Sequence, residues 1–322
     1  MLSRREILMG TAAAAIAALA RPVKTAFAKA AQPSTPVNFK VPAGACDCHT
    51  HIFGDPRRFP FAAGRTYTPE PASIEEMRTL HRALHTERVV LVQPSVYGTD
   101  NACILDALKQ FGPIARGVAV IDSSTPASAL DEFDRAGIRA IRVNLETFGQ
   151  TDPAVVRQRF QAAIEQIKGH AWHIQIFTRL SLIEAISEQV MVSPVPVVFD
   201  HFGGAQGALG VGQPGFDTVL KLVRTGKAYV KVTAPYRSSK LSPDYPDVAP
   251  LAQALIAANP ERILWGTDWP HPLQTPETKV TEIMPLAQID DGRVFDLFPT
   301  WAPDPAQRKT ILVDNPARLF GL

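Results

Sequence analysis

Eight short apolar runs, each separated from the next by a stretch with helical patterning, constrain the fold of this chain more than any other feature. Several runs are continuously hydrophobic, which is typical of strands buried on both faces of a parallel sheet. The runs lie at residues 45–53, 88–95, 115–122, 137–144, 173–177, 195–201, 228–234 and 262–268. Eight strands with intervening helices predict a single (β/α)8 TIM barrel of the α/β class. A Rossmann nucleotide site is not indicated, because no G-x-G-x-x-G motif follows any run.

Two of the intervening stretches begin with clear helix-start signals. Ser73 with Glu76 three residues later predicts a capping box, and Asp152 before a proline predicts a second helix start. The helix that follows Ser73 also contains His81 and His85, four residues apart. With charged residues around them, we expect this histidine pair on a solvated helix face rather than at a metal.

The first 28 residues differ in character from the rest. Arg4 and Arg5 precede the apolar run TAAAAIAALA, and small residues follow up to Ala28. This order predicts a cleaved signal peptide of the twin-arginine type over residues 1–28, with export to a periplasm. The alternative is an uncleaved amphipathic or disordered extension. Residues 29–44 are rich in proline and predict a connector, so the barrel domain is expected to span 45–322.

Composition limits the possible partners. The 322 residues are 46% hydrophobic and 20% charged, with a formal net charge of +2, and loss of the basic leader would leave the chain nearly neutral. Nothing in this balance predicts nucleic-acid binding, and no later stretch approaches the ~20 apolar residues of a membrane span. We expect a small-molecule substrate and no membrane association of the mature form. The oligomeric state stays open.

Polar side chains cluster where the predicted strands end. A TIM barrel carries its active site at the carboxyl ends of its strands, so these residues are candidates for chemistry. They are His49, His51, Gln93, Ser95, Arg142, Asn144, Asp200, His201, Thr233, Tyr236, Arg237 and Asp268. His49 and His51 are two residues apart and share one face of a strand. One such histidine alone is often structural, but the whole set predicts an active site, in which Asp200 either orients His201 or pairs with a neighbour.

The same segments carry a resemblance to a known family. DCHTHIFG, VQPSVYGTDN, VVFDHFG, KVTAPYR, GTDWPHP and ILVDNPARLFG occur in this order between Ala45 and Leu322, and together they resemble the amidohydrolase superfamily. They are most similar to its lactonase branch, which includes 2-pyrone-4,6-dicarboxylate lactonase, sugar-acid lactonases, 4-sulfomuconolactone hydrolase and galactarolactone isomerase. The resemblance implies a TIM-barrel hydrolase that opens the lactone ring of a small acidic substrate.

The resemblance also implies roles for individual residues. The implied catalytic residues are Asp268, His49, His51 and His201, and the implied substrate-binding residues are Tyr67, Ser95, Arg142 and Arg237. We expect Asp268 to act as general base on water while the histidines polarise the lactone carbonyl. Arg142 and Arg237 would hold a substrate carboxylate or sulfonate. The glycine-rich run at 202–210 lacks the arginine that pyrone-dicarboxylate enzymes carry there, which argues against a dicarboxylate or for a different pose.

The HxH pair raises the question of a metal. A hydrolytic zinc site needs three or more protein ligands, and metal-dependent relatives draw one of them from the end of strand 5. Here that end carries Phe177 and Thr178, while His173 lies at the start of the strand, about 13 Å below the mouth. We therefore predict no metal and no other cofactor. The alternative is one divalent metal such as zinc, with the ligands His49, His51 and Asp268.

Three other functions stay open at this point. The chain is expected to open lactones without a metal, but a zinc-dependent hydrolase or decarboxylase of the same superfamily would share the motifs. A lactone isomerase would use the same acids and bases, with a substrate hydroxyl in place of water. An exported solute-binding module would have lost its strand-end acids and histidines, which this chain retains. The identity and ring size of the lactone are not specified by the sequence.

Overall fold

The computed structural model describes residues 30–273 and 279–322. Within these ranges eight parallel strands follow one another in chain order, each paired with the next. They are β1 (Cys46–Thr50), β2 (Arg88–Val92), β3 (Ala115–Ala119), β4 (Ile138–Asn144), β5 (His173–Phe177), β6 (Val197–Phe199), β7 (Ala228–Thr233) and β8 (Ile263–Gly266). Each strand lies inside one of the eight predicted runs, which confirms the (β/α)8 barrel.

The barrel is closed where the end of β8 meets β1. The Asp268 amide donates to the His49 carbonyl at 2.8 Å, and the His51 amide donates to the Trp269 carbonyl at 2.8 Å. Gly266 permits this approach, because a Cβ atom at that position would lie 2.7 Å from the His49 nitrogen. The seam therefore holds the HxH segment and Asp268 side by side.

A buried carboxylate reinforces the same seam. Asp47 accepts hydrogen bonds from the Thr267 amide at 3.0 Å and from the Thr267 hydroxyl at 2.7 Å. His81 also approaches this carboxylate, with its Nε2 3.4 Å from Asp47 Oδ2, and only 8% of His81 is exposed. The expectation that His81 lies on a solvated face was wrong, since the helix turns this side chain inward against β1.

Helices alternate with the strands around the outside. They are α1 (Ile74–Leu84), α2 (Ala102–Phe111), α3 (Ala127–Ala136), α4 (Pro153–Gln166), α5 (Leu180–Met191), α6 (Phe216–Arg224) and α7 (Ala249–Ala258), with shorter helices at Pro235–Ser238, Asp291–Phe295, Phe298–Trp301, Pro305–Lys309 and Asn315–Phe320. The predicted capping box of Ser73 and Glu76 is present, and Asp152 caps α4. Among the described residues, no helix combines the length and apolar character needed to cross a membrane.

The segment before the first strand is attached to the barrel. Ala30 and Ala31 are buried, and the indole nitrogen of Trp269 donates to the Ala31 carbonyl at 2.9 Å. Asp290 accepts hydrogen bonds from the hydroxyls of Ser34 and Thr35, each at 2.6 Å. The predicted signal segment at 1–28 lies outside the described residues. Through Ala31, the segment before β1 contacts the barrel at Trp269, the residue that follows Asp268.

Candidate active site

Three imidazoles surround one oxygen of a buried carboxylate at the mouth of the barrel. Asp268 Oδ1 lies 3.3 Å from His51 Nε2, 3.4 Å from His49 Nε2 and 3.9 Å from His201 Nε2. All four side chains are buried, and Asp268 Oδ1 has no hydrogen-bond partner among the described residues. The structure thus brings together the four side chains named as catalytic candidates. Two of them sit on left-handed backbone, Asp268 at φ 66° and His201 at φ 48°, a strained conformation that clusters at functional sites.

The second oxygen of Asp268 is held by the loop after β7. Tyr236 donates its hydroxyl to Asp268 Oδ2 at 2.5 Å, and Arg237 Nε donates to the same oxygen at 2.8 Å. Burial raises the pKa of Asp268, but Arg237 and His201 outweigh this effect and lower that pKa well below its usual range. The carboxylate is therefore an anion at neutral pH, with one oxygen engaged and the other directed at the imidazoles.

The imidazoles of His51 and His201 are held through Nδ1, the ring nitrogen that does not face Asp268. His51 Nδ1 lies 2.8 Å from the Val92 carbonyl oxygen. Because a carbonyl can only accept, Nδ1 of His51 carries a proton. When the His51 ring is neutral, its Nε2 therefore presents a lone pair. His201 Nδ1 contacts the Thr233 hydroxyl at 2.8 Å. Burial lowers the pKa of His201 to about 4, although Asp268 opposes this shift.

Burial of uncharged imidazoles predicts an acid-labile fold. Burial lowers the pKa of His173 to about 3 and that of His201 to about 4, from 6.5. The unfolded chain therefore binds protons below pH 6.5 that the folded chain does not, and stability falls as pH falls, by about 1.4 kcal/mol per pH unit for each such histidine. We predict that urea unfolding shows a loss of at least about 2 kcal/mol between pH 6.5 and pH 5. A His173→Phe variant should show a shallower slope, and an unfolding free energy independent of pH in this range would contradict the prediction.

A small chamber beside His51 contains the predicted substrate-binding residues. Its volume is about 140 Å³, and its lining includes Tyr67, Ser95, Arg142 and Arg237. Burial raises the pKa of Tyr67, so its hydroxyl stays protonated and can donate. The chamber places a phenol, a hydroxyl and two guanidinium groups next to the imidazoles.

A second chamber shares Arg237 with the first and is lined by His201. Its volume is about 400 Å³, and its lining includes Thr178, Arg179, Gly204, Gln206, Ser238 and Lys240. Gly204 has φ +80°, and a Cβ atom there would lie 2.6 Å from the Thr178 carbonyl oxygen and 2.9 Å from Arg179 Cα. Close backbone packing therefore requires glycine at position 204, and Arg179 supplies a guanidinium to the same chamber.

Beneath the imidazoles lies a network of buried polar groups that sequence reasoning largely missed. Asp200 Oδ2 accepts hydrogen bonds from Gln175 Nε2 at 3.1 Å and Arg142 Nη2 at 3.3 Å. Asp200 does not orient His201, as one alternative proposed. Its other oxygen lies 3.3 Å from His49 Nδ1 and 3.8 Å from Lys231 Nζ. A lysine in an otherwise apolar strand was the one sequence signal that could have revealed this network.

Some of these side chains could also serve as ligands of a metal ion. Ligand atoms of His49, His201 and Asp268 all lie within 4.8 Å of one another, so His201 rather than His51 completes this cluster. The buried His49 Nε2 and Asp268 Oδ1 lack hydrogen-bond partners among the described residues, which suits a cation. Two imidazoles and a carboxylate are a donor set that zinc accepts. His173 is at the bottom of β5, as expected, with its ring 4.8 Å from that of Phe320.

Eight parallel strands whose carboxyl ends gather one buried carboxylate and three imidazoles define a TIM-barrel hydrolase of the amidohydrolase type. The chain belongs to the amidohydrolase family, whose sequence model matches residues 46–322. This confirms the superfamily assignment made from the motifs.

Curated relatives cover most of the chain. A 4-sulfomuconolactone hydrolase from Hydrogenophaga intermedia is 34% identical over 289 residues, covering 89% of this chain and 91% of its own. A 2-pyrone-4,6-dicarboxylate hydrolase from Comamonas testosteroni is 35% identical, with coverage of 90% and 94%. A D-galactarolactone isomerase from Agrobacterium fabrum is 30% identical, with coverage of 89% and 94%.

Solved structures agree with the fold. A Pseudomonas putida protein described as a 2-pyrone-4,6-dicarboxylic acid hydrolase superposes with a TM-score of 0.70 at 31% identity, covering 88% of this chain and 98% of its own. An amidohydrolase from Burkholderia multivorans with bound zinc has a TM-score of 0.64 at 20% identity, covering 87% and 100%, and shows the common fold alone.

Proposed function

We propose that this protein hydrolyses the lactone ring of a small acidic substrate. The observation that carries the proposal is the different environment of the two Asp268 carboxylate oxygens. Tyr236 and Arg237 hold Oδ2, whereas Oδ1 has no hydrogen-bond partner among the described residues and faces three imidazoles. A base held in this way can take a proton from water without moving. Relatives named as hydrolases of sulfomuconolactone and of pyrone dicarboxylate support the same reaction class.

The proposed reaction begins with water beside Asp268 Oδ1. The carboxylate removes a proton as the water oxygen attacks the lactone carbonyl carbon, and imidazole N–H groups stabilise the oxyanion that forms. The tetrahedral species then collapses, and the bond between the carbonyl carbon and the ring oxygen breaks. Protonated Asp268 returns its proton to the leaving ring oxygen, so the products are a new carboxylic acid and a hydroxyl, and the enzyme is regenerated.

The charge of the buried site favours an anionic substrate. Two carboxylates, Asp200 and Asp268, and three cations, Arg142, Lys231 and Arg237, form connected ion pairs, which leaves one positive charge in excess. Arg142 and Arg237 are the two cations that line the small chamber next to His51. A substrate carboxylate or sulfonate in that chamber would balance the excess charge and fix the orientation of the ring.

Replacing Arg142 should weaken substrate binding more than turnover. We predict that Arg142→Met raises KM by about 10- to 100-fold, since a charge-assisted hydrogen bond contributes about 1.5–3 kcal/mol. Arg139→Met is the matched control, because Arg139 lies on the same strand and pairs with Asp134 on the outside of the barrel. Steady-state assays with the acid and with its methyl ester check the prediction. An equal effect of Arg142→Met on both substrates would show that Arg142 does not bind the acid group.

We propose that hydrolysis proceeds without a metal. If a zinc ion is bound, His49, His201 and Asp268 would hold it, and it would act as a Lewis acid on the carbonyl oxygen. Support for a metal-free reaction comes from the positive charges already fixed around the site and from β5, whose mouth offers Phe177 and Thr178 and no imidazole. Acid release after exhaustive chelation should stay within about twofold of the untreated rate. Loss of activity on chelation and recovery with zinc would establish a zinc-dependent hydrolase instead.

Lactone isomerisation is the second candidate, because one relative is named a D-galactarolactone isomerase. In that reaction a hydroxyl of the substrate attacks in place of water, and Asp268 accepts its proton. The second chamber beside His201 has room for a hydroxylated arm. Product analysis separates the two reactions, because an isomerase yields a new lactone of unchanged mass.

We also propose that residues 1–28 direct export through the twin-arginine route and are removed. The basic and apolar order of this segment supports the proposal. Amino-terminal sequencing of protein from a periplasmic fraction should start close to residue 29. A chain that retains Met1 and stays in the cytoplasm would refute export.

A substrate panel tests the proposed function directly. Muconate-type lactones, pyrone carboxylates and sugar-acid lactones should be offered to the purified chain, with acid release followed by a pH indicator. We expect hydrolysis of at least one acidic lactone and slower hydrolysis of its neutral ester. Failure to open any lactone in the panel would exclude the proposal for these substrate classes.

A further inference from the structure

Lys231 is a fully buried cation directly below the imidazoles, and the reaction described above does not use it. Its Nζ lies 2.7 Å from Gln175 Oε1, 2.8 Å from the Cys48 carbonyl oxygen and 3.3 Å from His49 Nδ1. The side chain is 0% exposed, so its position is set by these neighbours and not by solvent. A lysine this deep in a barrel interior requires an explanation beyond packing.

The contacts match the donors of an ammonium group. Protonated lysine has three N–H donors and no acceptor, and three acceptor positions lie within 3.3 Å of Lys231 Nζ, closer than Asp200 Oδ1 at 3.8 Å. Two of them, the Cys48 carbonyl and Gln175 Oε1, can only accept. The third is Nδ1 of His49, which accepts only when it carries a lone pair. The proton of a neutral His49 then resides on Nε2, the nitrogen that faces Asp268 and the substrate.

The competing partner of His49 is less well aligned. Asp200 Oδ1 lies 3.3 Å from His49 Nδ1 but has no hydrogen-bond partner among the described residues. If Nδ1 carried the proton, this carboxylate would be its acceptor and Nε2 would present a lone pair. Lys231 and Asp200 therefore favour opposite tautomers of the same ring.

We propose that Lys231 is a positioning residue that holds His49 in the Nε2–H tautomer and thereby makes it a hydrogen-bond donor to the substrate. The neutral ring of His51 has the opposite arrangement, because its Nδ1 donates to the Val92 carbonyl and its Nε2 then presents a lone pair. The two histidines of the HxH pair thus have different roles. His51 and Asp268 accept from the attacking water, while His49 donates to the carbonyl oxygen; this last consequence rests on the proposed function.

The same tautomer disfavours a metal. A neutral histidine binds zinc through a lone pair, so His49 would have to release its Nε2 proton and place one on Nδ1. Asp200 is positioned to accept that proton, as carboxylates behind zinc-bound histidines do. Lys231 opposes this shift of the His49 proton, because its ammonium already donates to His49 Nδ1 and would repel a metal cation bound at Nε2. Removing the ammonium should convert His49 into a zinc ligand.

The wild-type protein provides the first test, which needs no turnover. Two-bond correlation spectra of chains with ¹⁵N-labelled imidazoles distinguish the two neutral tautomers, and a His49→Gln variant identifies the His49 signals. We expect Nε2 to carry the proton at neutral pH. A proton on Nδ1 would overturn the inference, even if the protein opens lactones. An Nε2–H tautomer in a protein that opens none would leave the inference standing and remove the proposed function.

Variants supply the second test. Lys231→Met should shift the His49 proton to Nδ1, tighten zinc binding measured by competition with a chelating dye by at least about tenfold, and lower kcat with KM nearly unchanged. Lys227→Met, at an exposed position just before the same strand, is the control and should change none of these. If Lys231→Met does not fold, Asp200→Asn tests the same competition and should retain the Nε2–H tautomer. Unchanged zinc affinity in folded Lys231→Met, or an Nδ1–H tautomer in Asp200→Asn, would refute the role.

Discussion

Asp268→Asn should reduce the rate of lactone opening by about 10³-fold or more while leaving the fold intact. General base catalysis contributes about 10² to 10⁴ in rate, and here the base also returns the proton to the leaving group. Asparagine keeps an oxygen that can accept from Tyr236 and Arg237, so the loop after β7 stays attached. The free Oδ1 becomes an amide nitrogen, which cannot take a proton from water. Acid release at saturating substrate measures the loss.

A matched variant makes this result specific to the site. Asp291 is another buried aspartate, 2% exposed, that pairs with His271 at 2.9 Å. Asp291→Asn changes a buried carboxylate in the same manner but away from the three imidazoles, and we expect its rate to stay within about threefold of wild type. Retained hydrolysis in Asp268→Asn, or an equal loss in both variants, would remove Asp268 from the role of base.

Gly266→Ala should have the second largest effect, through the backbone that closes the barrel. The added Cβ would lie 2.7 Å from the His49 nitrogen, 2.9 Å from Asp47 Oδ1 and 3.1 Å from His49 Cβ. Real Cβ atoms essentially never lie within 3.0 Å of another heavy atom, as two of these contacts would require, so β1 and β8 must separate. Because reacting groups lose about 10²-fold in rate when displaced by ~1 Å, we predict a comparable fall in kcat. Overpacking should also destabilise the fold by about 1–3 kcal/mol.

Urea unfolding and kinetics on the same preparation separate the two effects of Gly266→Ala. Gly212→Ala is the control, because a Cβ there meets nothing within 4 Å and should leave both measurements near wild type. A variant of normal stability and normal kcat would show that the seam tolerates separation. Such a result would mean that the close approach does not position His49.

The barrel and the positions of its catalytic candidates could be predicted because they depend on local sequence patterns. Continuously apolar runs mark strands buried on both faces, and the carboxyl ends of parallel strands must meet at one rim. Asp268, His201 and the HxH pair occupy such ends, so their convergence follows from the fold. The substrate-binding candidate Arg142 lines one chamber for the same reason, whereas Tyr67 in the same chamber was implied only by the family resemblance.

Other features of the site could not be read from the sequence because they join residues through space. The network of Lys231, Gln175, Asp200 and His49 joins three strands of the barrel and the residue that follows β6, and no spacing along the chain indicates it. His81 was expected in solvent because its charged neighbours suggest an exposed face, yet the pairing of α1 with β1 turns it toward Asp47. Such outcomes depend on helix rotation against the barrel, which a local pattern specifies poorly.

Hydrolysis of an acidic lactone by chelator-treated protein in ¹⁸O-labelled water tests the central claim most directly. Mass spectrometry of the product should show one ¹⁸O atom, located in the new carboxylate, because water attacks the carbonyl carbon and the ring oxygen leaves as an unlabelled hydroxyl. An unlabelled product of unchanged mass would indicate isomerisation. Label in the hydroxyl, or no reaction without added metal, would contradict water attack promoted by Asp268 in a metal-free site.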